Sequence, residues 1–260
     1  MNSIGPQPTG SPPKGPHVIV VMPAYNAEQT LEQTLRAIPA DSYDEVFVGD
    51  DCSQDGTVQL AEKLGLKVFQ TPQNLGYGGN QKMLYREALK AGADIVVMLH
   101  PDYQYDPSLV PHFVGFLRHN VCDVILGNRI RSRREALKGG MPFWKYLSNR
   151  CLTIMLNLAY GTNLSEFHSG FRAYRRVVLE TVDFESNSDA FGFDAQFLAQ
   201  SIRHGFTIAD APMPVKYFKE ASSIRFLPSV RYGLVNVKAA GQFILSRIGF
   251  RFRLFARRNP

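Results

Sequence analysis

Ile95-Val-Val-Met-Leu-His-Pro-Asp-Tyr-Gln-Tyr-Asp-Pro107 decides how the rest of the chain is read. Ile95 to Leu99 is an apolar run that suits a fully buried strand and is too short for an independent helix. After it, His100, Asp102, Gln104 and Asp106 set nitrogen or oxygen donors at alternate positions. Pro101 and Pro107 stop the strand and oppose a helix, so these side chains belong to a loop at the strand's carboxyl end. Open α/β sheets bind their ligands there. A carboxylate with an amide two residues on can hold a hard divalent cation, which in turn can hold a diphosphate. Taken alone, the same residues also read as a turn studded with polar caps; the flanking chain has to decide.

Upstream, Val18 to Met22 reads as a buried strand ended by Pro23, and Asn26 to Thr30 can cap a helix carrying Leu31, Leu35 and Ile38. Glu45 to Gly49 is the next strand. It runs into Asp50-Asp-Cys-Ser-Gln-Asp-Gly-Thr57, whose Asx and Gly residues suit a tight loop and a helix cap. A helix to Leu64 closes on Gly65, Leu66 to Gln70 is a short strand, and Asn74-Leu-Gly-Tyr-Gly-Gly-Asn80 opens a helix to Ala91. Strand and helix alternate throughout, which predicts an α/β fold with a mostly parallel sheet covered on both faces. Gly76-x-Gly78-Gly79 matches the dinucleotide fingerprint poorly, because Gln81 stands at its third glycine position.

Downstream, a helix from Pro107 is expected to bury Leu109, Phe113, Phe116 and Leu117, with a strand at Cys122 to Gly127 and a basic loop from Asn128 to Arg134. Trp144, Leu147, Cys151, Ile154, Met155 and Leu158 recur at helical spacing, a stripe expected to be core or the wall of a substrate groove. Gly161 to Phe171 is irregular, Gly192 to His204 helical, and Val215 to Phe218 a late strand.

Bulk properties bound the function. The 260 residues, 45% of them hydrophobic, are enough for one full core. Cys52, Cys122 and Cys151 are too few for a disulfide framework and fit a reducing compartment. Residues 1–17 are rich in Pro, Gly and Ser and read as a disordered leader, and no run is long enough to span a bilayer. Residues 221–260 carry eight basic and no acidic residues; against a total of +6, the other 220 residues sum to −2. The basicity therefore belongs to the tail, which argues against nucleic acid and for a local anionic partner.

Pro23, Tyr25 and Glu28, Asp50 and Asp51, Asp102 and Gln104, and Gly127 and Arg129 all fall at strand ends or in adjacent loops. Together they describe a crevice for a ligand with a ring, hydroxyls and phosphates, although each also has a purely structural use as a cap, a turn former or a solvated charge.

With these stretches in view, the chain resembles the family 2 glycosyltransferases of GT-A fold, and within them the dolichol-phosphate mannose synthase and polyprenyl-phosphate glycosyltransferase branch. The likeness covers about residues 18 to 225 and rests on an ordered set. Its members include Val20-Val-Met-Pro-Ala-Tyr-Asn26, Val48 to Thr57, Asn74 to Gly79, Pro101 to Pro107, Gly127-Asn-Arg129, Ser169-Gly-Phe-Arg172, Phe191-Gly-Phe-Asp194 and Ser222-Ser-Ile-Arg225. The resemblance implies a GT-A catalytic domain at 18–220. It implies an inverting, metal-dependent transferase that moves a sugar from a UDP- or GDP-sugar to a polyprenyl phosphate, in cell-envelope biosynthesis. By the same likeness, Pro23, Tyr25, Glu28, Asp50, Asp51 and Gly76 hold the nucleoside end, and Asp102 and Gln104 bind Mg²⁺ or Mn²⁺ against the diphosphate. Arg129, Arg172 and Arg225 serve the diphosphate or an acceptor phosphate, and Asp194 is the base if the acceptor is a hydroxyl. His100 departs from the pattern, since the family often has Asp there; a ribose or phosphate contact is expected of it. A hydroxyl-acceptor transferase, a sugar-1-phosphate nucleotidyltransferase and a non-catalytic nucleotide-sugar-binding module stay open as alternatives.

In the tail, Val230, Leu234, Val237, Ile244 and Ile248 recur at three- and four-residue steps around Gly241, with Arg231, Lys238 and Arg247 off that stripe. Such a segment either packs back on the catalytic domain or lies flat on an anionic membrane surface. The expectation is a cytoplasmic enzyme held peripherally on the inner face of the membrane through residues 221–260.

Overall fold

The computed structural model describes residues 15–130, 132–138, 141–215 and 226–258. The first half alternates as the sequence dictates: β1 (Val18–Ala24), α1 (Leu31–Arg36), β2 (Glu45–Asp50), α2 (Thr57–Lys63), β3 (Lys67–Gln70), α3 (Gly76–Lys90) and β4 (Ile95–Met98). It continues with α4 (Val110–Arg118), β5 (Val124–Asn128), α5 (Arg133–Lys138), α6 (Phe143–Tyr160), β6 (Arg172–Arg175), α7 (Arg176–Thr181), α8 (Phe193–Arg203), β7 (Ile208–Pro212) and α9 (Phe226–Arg247).

Among the described residues the strands form one sheet of order β3-β2-β1-β4-β6-β5-β7. Only β6 runs antiparallel to its neighbours, β4 and β5. Because side chains alternate across a strand, β1 feeds two cores: Ile19 and Val21 meet α3, α6, α8 and α9, while Val18, Val20 and Met22 meet α1, α2 and α4. A central strand buried on both sides needs a continuous apolar run, and β1 and β4 supply it. β1 and β4 run parallel, and the strand order switches sides between them, β2 and β3 lying on one side of β1 and β4 on the other; their carboxyl ends open the crevice that holds the site.

Several expectations need correction. β6 and β7 were not anticipated. Of the late strand expected at 215–218, Val215 makes an isolated bridge with Tyr105, and 216–218 lie outside the described residues. Phe116 is exposed, since α4 buries Val110, Phe113, Val114 and Leu117 instead. The α6 stripe is the larger surprise. Its buried residues are Asn149, Thr153, Leu156 and Tyr160; Leu147, Ile154 and Leu158 face outward, and Trp144, partly exposed, lines a cavity, as a groove wall would.

In α9 and just past its end, the apolar residues named from the sequence, Val230, Leu234, Val237, Ile244 and Ile248, are all exposed. Asn236, Ala239, Ala240, Phe243 and Ser246 are buried in their place. Beyond α9, Leu254 joins the core and Arg258 ties the chain back, donating to Leu179 O and lying 4.4 Å from the Phe184 ring centroid. Of the proposed leader, residues 1–14 lie outside the described residues, as do Arg225 and its Ser222-Ser-Ile-Arg225 motif.

Candidate functional site

Two cavities meet at the sheet's carboxyl edge and share Tyr77, His100, Asp102 and Phe191 in their walls. The first is built on β1 and β2. Pro23, Tyr25, Glu28, Asp51 and Gly76 line it, so five of the expected nucleoside contacts are brought together. Tyr25 stands 56% exposed at the end of β1, with its ring face available for stacking. Glu28 also accepts from Gly56 N at 2.9 Å, where a Cβ on Gly56 would approach its Oε1 to 2.5 Å. Asp51 accepts from Leu75 N (2.7 Å), Gly76 N (2.9 Å) and Thr71 Oγ1 (3.0 Å), fastening the end of β2 to the start of α3. Gly76 needs to be glycine: its φ is +82°, and a Cβ would meet Asp189 O at 2.7 Å. Asp50 does not line the cavity. Its Oδ2 accepts from Ser53 N at 3.2 Å, and its Oδ1 is buried with no hydrogen-bond partner among the described residues.

The loop after β4 forms the shared wall. Tyr103 takes φ +54°, an uncommon value for a bulky residue and a mark of functional sites. This twist brings Asp102 and Gln104 to the same cavity, and Asp102 Oδ1 accepts from Gln104 N at 3.1 Å. A carboxylate and an amide oxygen suit Mg²⁺ or Mn²⁺ arriving with a diphosphate, because such ions keep water and phosphate oxygens in their other positions. Among the described residues no group of three or more His, Cys, Asp or Glu could hold a cation unaided. His100 is stacked on Tyr77 (centroids 5.4 Å apart, 20°) with Nε2 3.2 Å from the phenol oxygen. Burial lowers its pKa against the pull of Asp102 and Asp194.

The second cavity, of about 170 Å³, is walled by α6 and α9 on the far side of that loop. Arg129 reaches it but is committed to Glu166, which is wholly buried and accepts from the Arg129 amide (2.8 Å), from Nε (2.9 Å) and from a further guanidinium nitrogen. Burial alone would raise the pKa of Glu166; Arg129 outweighs it and holds the carboxyl low. Asn149 Nδ2 also donates to Glu166, at 3.0 Å. Lys145 is the second cation in this wall, its pKa lowered by burial and by Arg129. His168 lines the cavity with Nδ1 2.9 Å from Tyr232 Oη. Burial drops its pKa to about 4, so it is neutral.

Arg172 is corrected outright. It is completely buried, donates to Ser169 O (2.6 Å) and Phe167 O (3.1 Å), and lies 3.4 Å from Asp194. Burial opposes its charge and Asp194 more than compensates, so it positions Asp194 and meets no phosphate. Asp194 lines the cavity and accepts from Tyr77 Oη at 2.9 Å. Glu166, Lys145, Asn149, His168, Tyr232 and Tyr77 were missed as site residues. Only Tyr77 carried a signal, standing inside the glycine-rich Asn74–Gly79 stretch, and Glu166 lies three residues before Ser169-Gly-Phe-Arg172.

Comparison with known proteins agrees with this geometry. Dolichyl-phosphate hexose transferase of Haloferax volcanii is 30% identical over 200 residues, covering 76% of this chain and 82% of that protein. Undecaprenyl-phosphate mannosyltransferase of Micrococcus luteus is 27% identical over 206 residues, covering 75% and 82%. Two further relatives from Haloferax volcanii are longer, and the chain spans 56% and 34% of their lengths. The crystal structure of glucosyl-3-phosphoglycerate synthase from Mycobacterium tuberculosis, with Mn²⁺, UDP and glucosyl-3-phosphoglycerate, superposes with a TM-score of 0.66. It is 24% identical and covers 92% of this chain and 82% of that one, a likeness of fold. The sheet and its helices are thus the GT-A glycosyltransferase fold. Residues 19–183 match the family described as glycosyl transferase family 2, and the chain belongs to it.

Proposed function

We propose that the protein is an inverting transferase that moves a sugar from a UDP- or GDP-sugar to a polyprenyl phosphate, with Mg²⁺ or Mn²⁺ at Asp102 and Gln104. One observation carries the acceptor assignment. The helices that wall the second cavity, through Trp144, Lys145, Leu152 and Tyr232, turn an apolar surface outward with Phe143, Leu147, Ile154 and Leu158 on α6 and Val230 to Ile248 on α9. Residues 143–160 and 226–258 contain no acidic side chain, while Arg231, Lys238 and Arg247 are exposed. An apolar face ringed by cations suits an anionic membrane surface, and the cavity behind it offers Lys145 to a phosphate, beside Arg129 held by Glu166. No helix among the described residues is long and apolar enough to cross a membrane; the contact proposed is a peripheral one, made on the cytoplasmic face by the exposed faces of α6 and α9. The relatives named for dolichyl and undecaprenyl phosphate support the same reading.

The chemistry asked of the chain is displacement at the anomeric carbon. Tyr25 and its neighbours hold the base, Asp51 and Gly76 fix the loop against the donor, and Phe191 with Tyr77 lies between donor and acceptor cavities. A cation bound with the diphosphate would supply charge stabilisation for the leaving group. A phosphate monoester is largely dianionic near neutrality and needs no general base. That fits Asp194, whose carboxylate is occupied by Arg172 and Tyr77.

The test is transfer of radiolabelled sugar from a panel of UDP-, GDP- and dTDP-sugars into the organic phase with a short-chain polyprenyl phosphate. Transfer from one of the UDP- or GDP-sugars is expected, abolished by EDTA. Equal transfer to the unphosphorylated polyprenol contradicts the assignment.

A further inference from the structure

His100 stands where the resembling enzymes often have a carboxylate, and its surroundings fix which ring nitrogen is available. Tyr77 Oη carries one proton and lies 2.9 Å from Asp194 Oδ2 and 3.2 Å from His100 Nε2. The Asp194 carboxyl, 3.4 Å from Arg172, is the nearer and stronger acceptor, so the phenol donates to it. His100 Nε2 must then carry a proton and donate to the phenol oxygen, which leaves Nδ1 with a bare lone pair. The Nε2–Cδ2 edge rests against Gly170, where a Cβ would collide with both atoms. Nδ1 is on the opposite edge of the ring. It has no hydrogen-bond partner among the described residues and is not sealed from the crevice, whose two cavities both touch His100 and Asp102.

We propose that His100 Nδ1 and Asp102 are joint ligands of the divalent cation, and that the imidazole biases the site toward Mn²⁺ over Mg²⁺. The inference rests on the divalent-cation reading of this loop. Metal-bound histidines regularly donate their second N–H to a fixed acceptor, which orients the ring, and Tyr77 backed by Asp194 is that acceptor here. Mg²⁺ favours oxygen and holds its water, whereas Mn²⁺ accepts nitrogen more readily. His100 would thus add a nitrogen to an otherwise oxygen ligand set, oriented from behind by Tyr77.

The experiment is electron spin-echo envelope modulation of Mn²⁺ bound to tag-free protein, with UDP and separately with GDP. Wild-type protein should show modulation from a directly bound imidazole nitrogen, and protein made with ¹⁵N-histidine should change that pattern; this arm needs no variant. His100→Asp should bind Mn²⁺ without nitrogen modulation and lose selectivity for Mn²⁺ over Mg²⁺. Tyr77→Phe should keep the modulation while Mn²⁺ affinity falls about 10- to 100-fold, the usual cost of losing such a partner. Bound Mn²⁺ without nitrogen modulation in the wild type overturns the ligand assignment and leaves the cation reading intact. If Mn²⁺ binds with neither nucleotide, both are overturned.

Discussion

Charging the outward face of α6 and α9 should detach the protein from lipid without disturbing its fold. Leu158 is 81% and Leu234 65% exposed, so the double variant Leu158→Glu/Leu234→Glu removes little that the folded chain uses. Such surface changes alter stability by about 0.5 kcal/mol or less. At a membrane the cost is larger. A leucine passing from water into an apolar phase gains roughly 1.5–3 kcal/mol, and these two, being mostly exposed, forfeit about 1–2 kcal/mol each. Each new carboxylate also opposes the attraction of neighbouring cations, worth about 1 kcal/mol per charge at an anionic surface. The sum, on the order of 4–6 kcal/mol, is a weakening of roughly a thousandfold or more in partition. Co-sedimentation with vesicles containing phosphatidylglycerol, at low and high salt, reads it directly. Transfer to a short, water-soluble polyprenyl phosphate analogue should stay near wild type. If the variant sediments like wild type, the face is not the lipid contact; if it melts several degrees lower, the face is covered within the fold or by a second copy.

Asp102→Asn should lower metal-dependent transfer by at least a hundredfold, with an unchanged melting temperature; near-normal turnover would remove Asp102 from the cation site. Arg172→Met should destabilise the protein by about 3–5 kcal/mol in urea titration, because it strands buried Asp194 beside Tyr77, and an unchanged midpoint would refute the pairing. His168 has its pKa pushed down to about 4 by burial, below its unfolded value of about 6.5. A depressed folded pKa contributes stability that is complete above the unfolded value and lost as pH falls toward the folded one. Stability should therefore drop between about pH 6.5 and 4, by on the order of 3 kcal/mol from this group, and His168→Gln should flatten that window in pH-dependent denaturation.

The parallel half of the fold was legible because its strands must be apolar on both faces and its helices carry their own start and stop signals. β6 escaped because it places Arg172 in the core, where only its contacts with Ser169, Phe167 and Asp194 make a buried guanidinium tolerable. The stripe of α6 has helical spacing whether it faces the core or the outside. What separates the two cases is that Asn149 and Thr153 must turn inward toward the pair of Glu166 and Arg129. The candidate residues on local motifs, Asp102, Gln104, Pro23, Tyr25 and Glu28, lie on the walls of the two cavities. Asp50 and Asp51 could not be told apart as letters, yet adjacent side chains on an extended strand point opposite ways, and one alone meets the crevice. Pairings set by tertiary packing between segments far apart in the chain, such as Tyr77 with Asp194 and Arg129 with Glu166, leave no trace in a single sequence.

The central claim is that sugar is transferred to a phosphate oxygen of a lipid, and ³¹P NMR of a complete reaction with polyprenyl phosphate tests it most directly. The account predicts that the phosphate monoester signal gives way to a diester coupled to an anomeric proton, with configuration opposite to the donor's, in wild type and, more slowly, in Asp194→Asn. Consumption of the donor with the monoester signal untouched would contradict it.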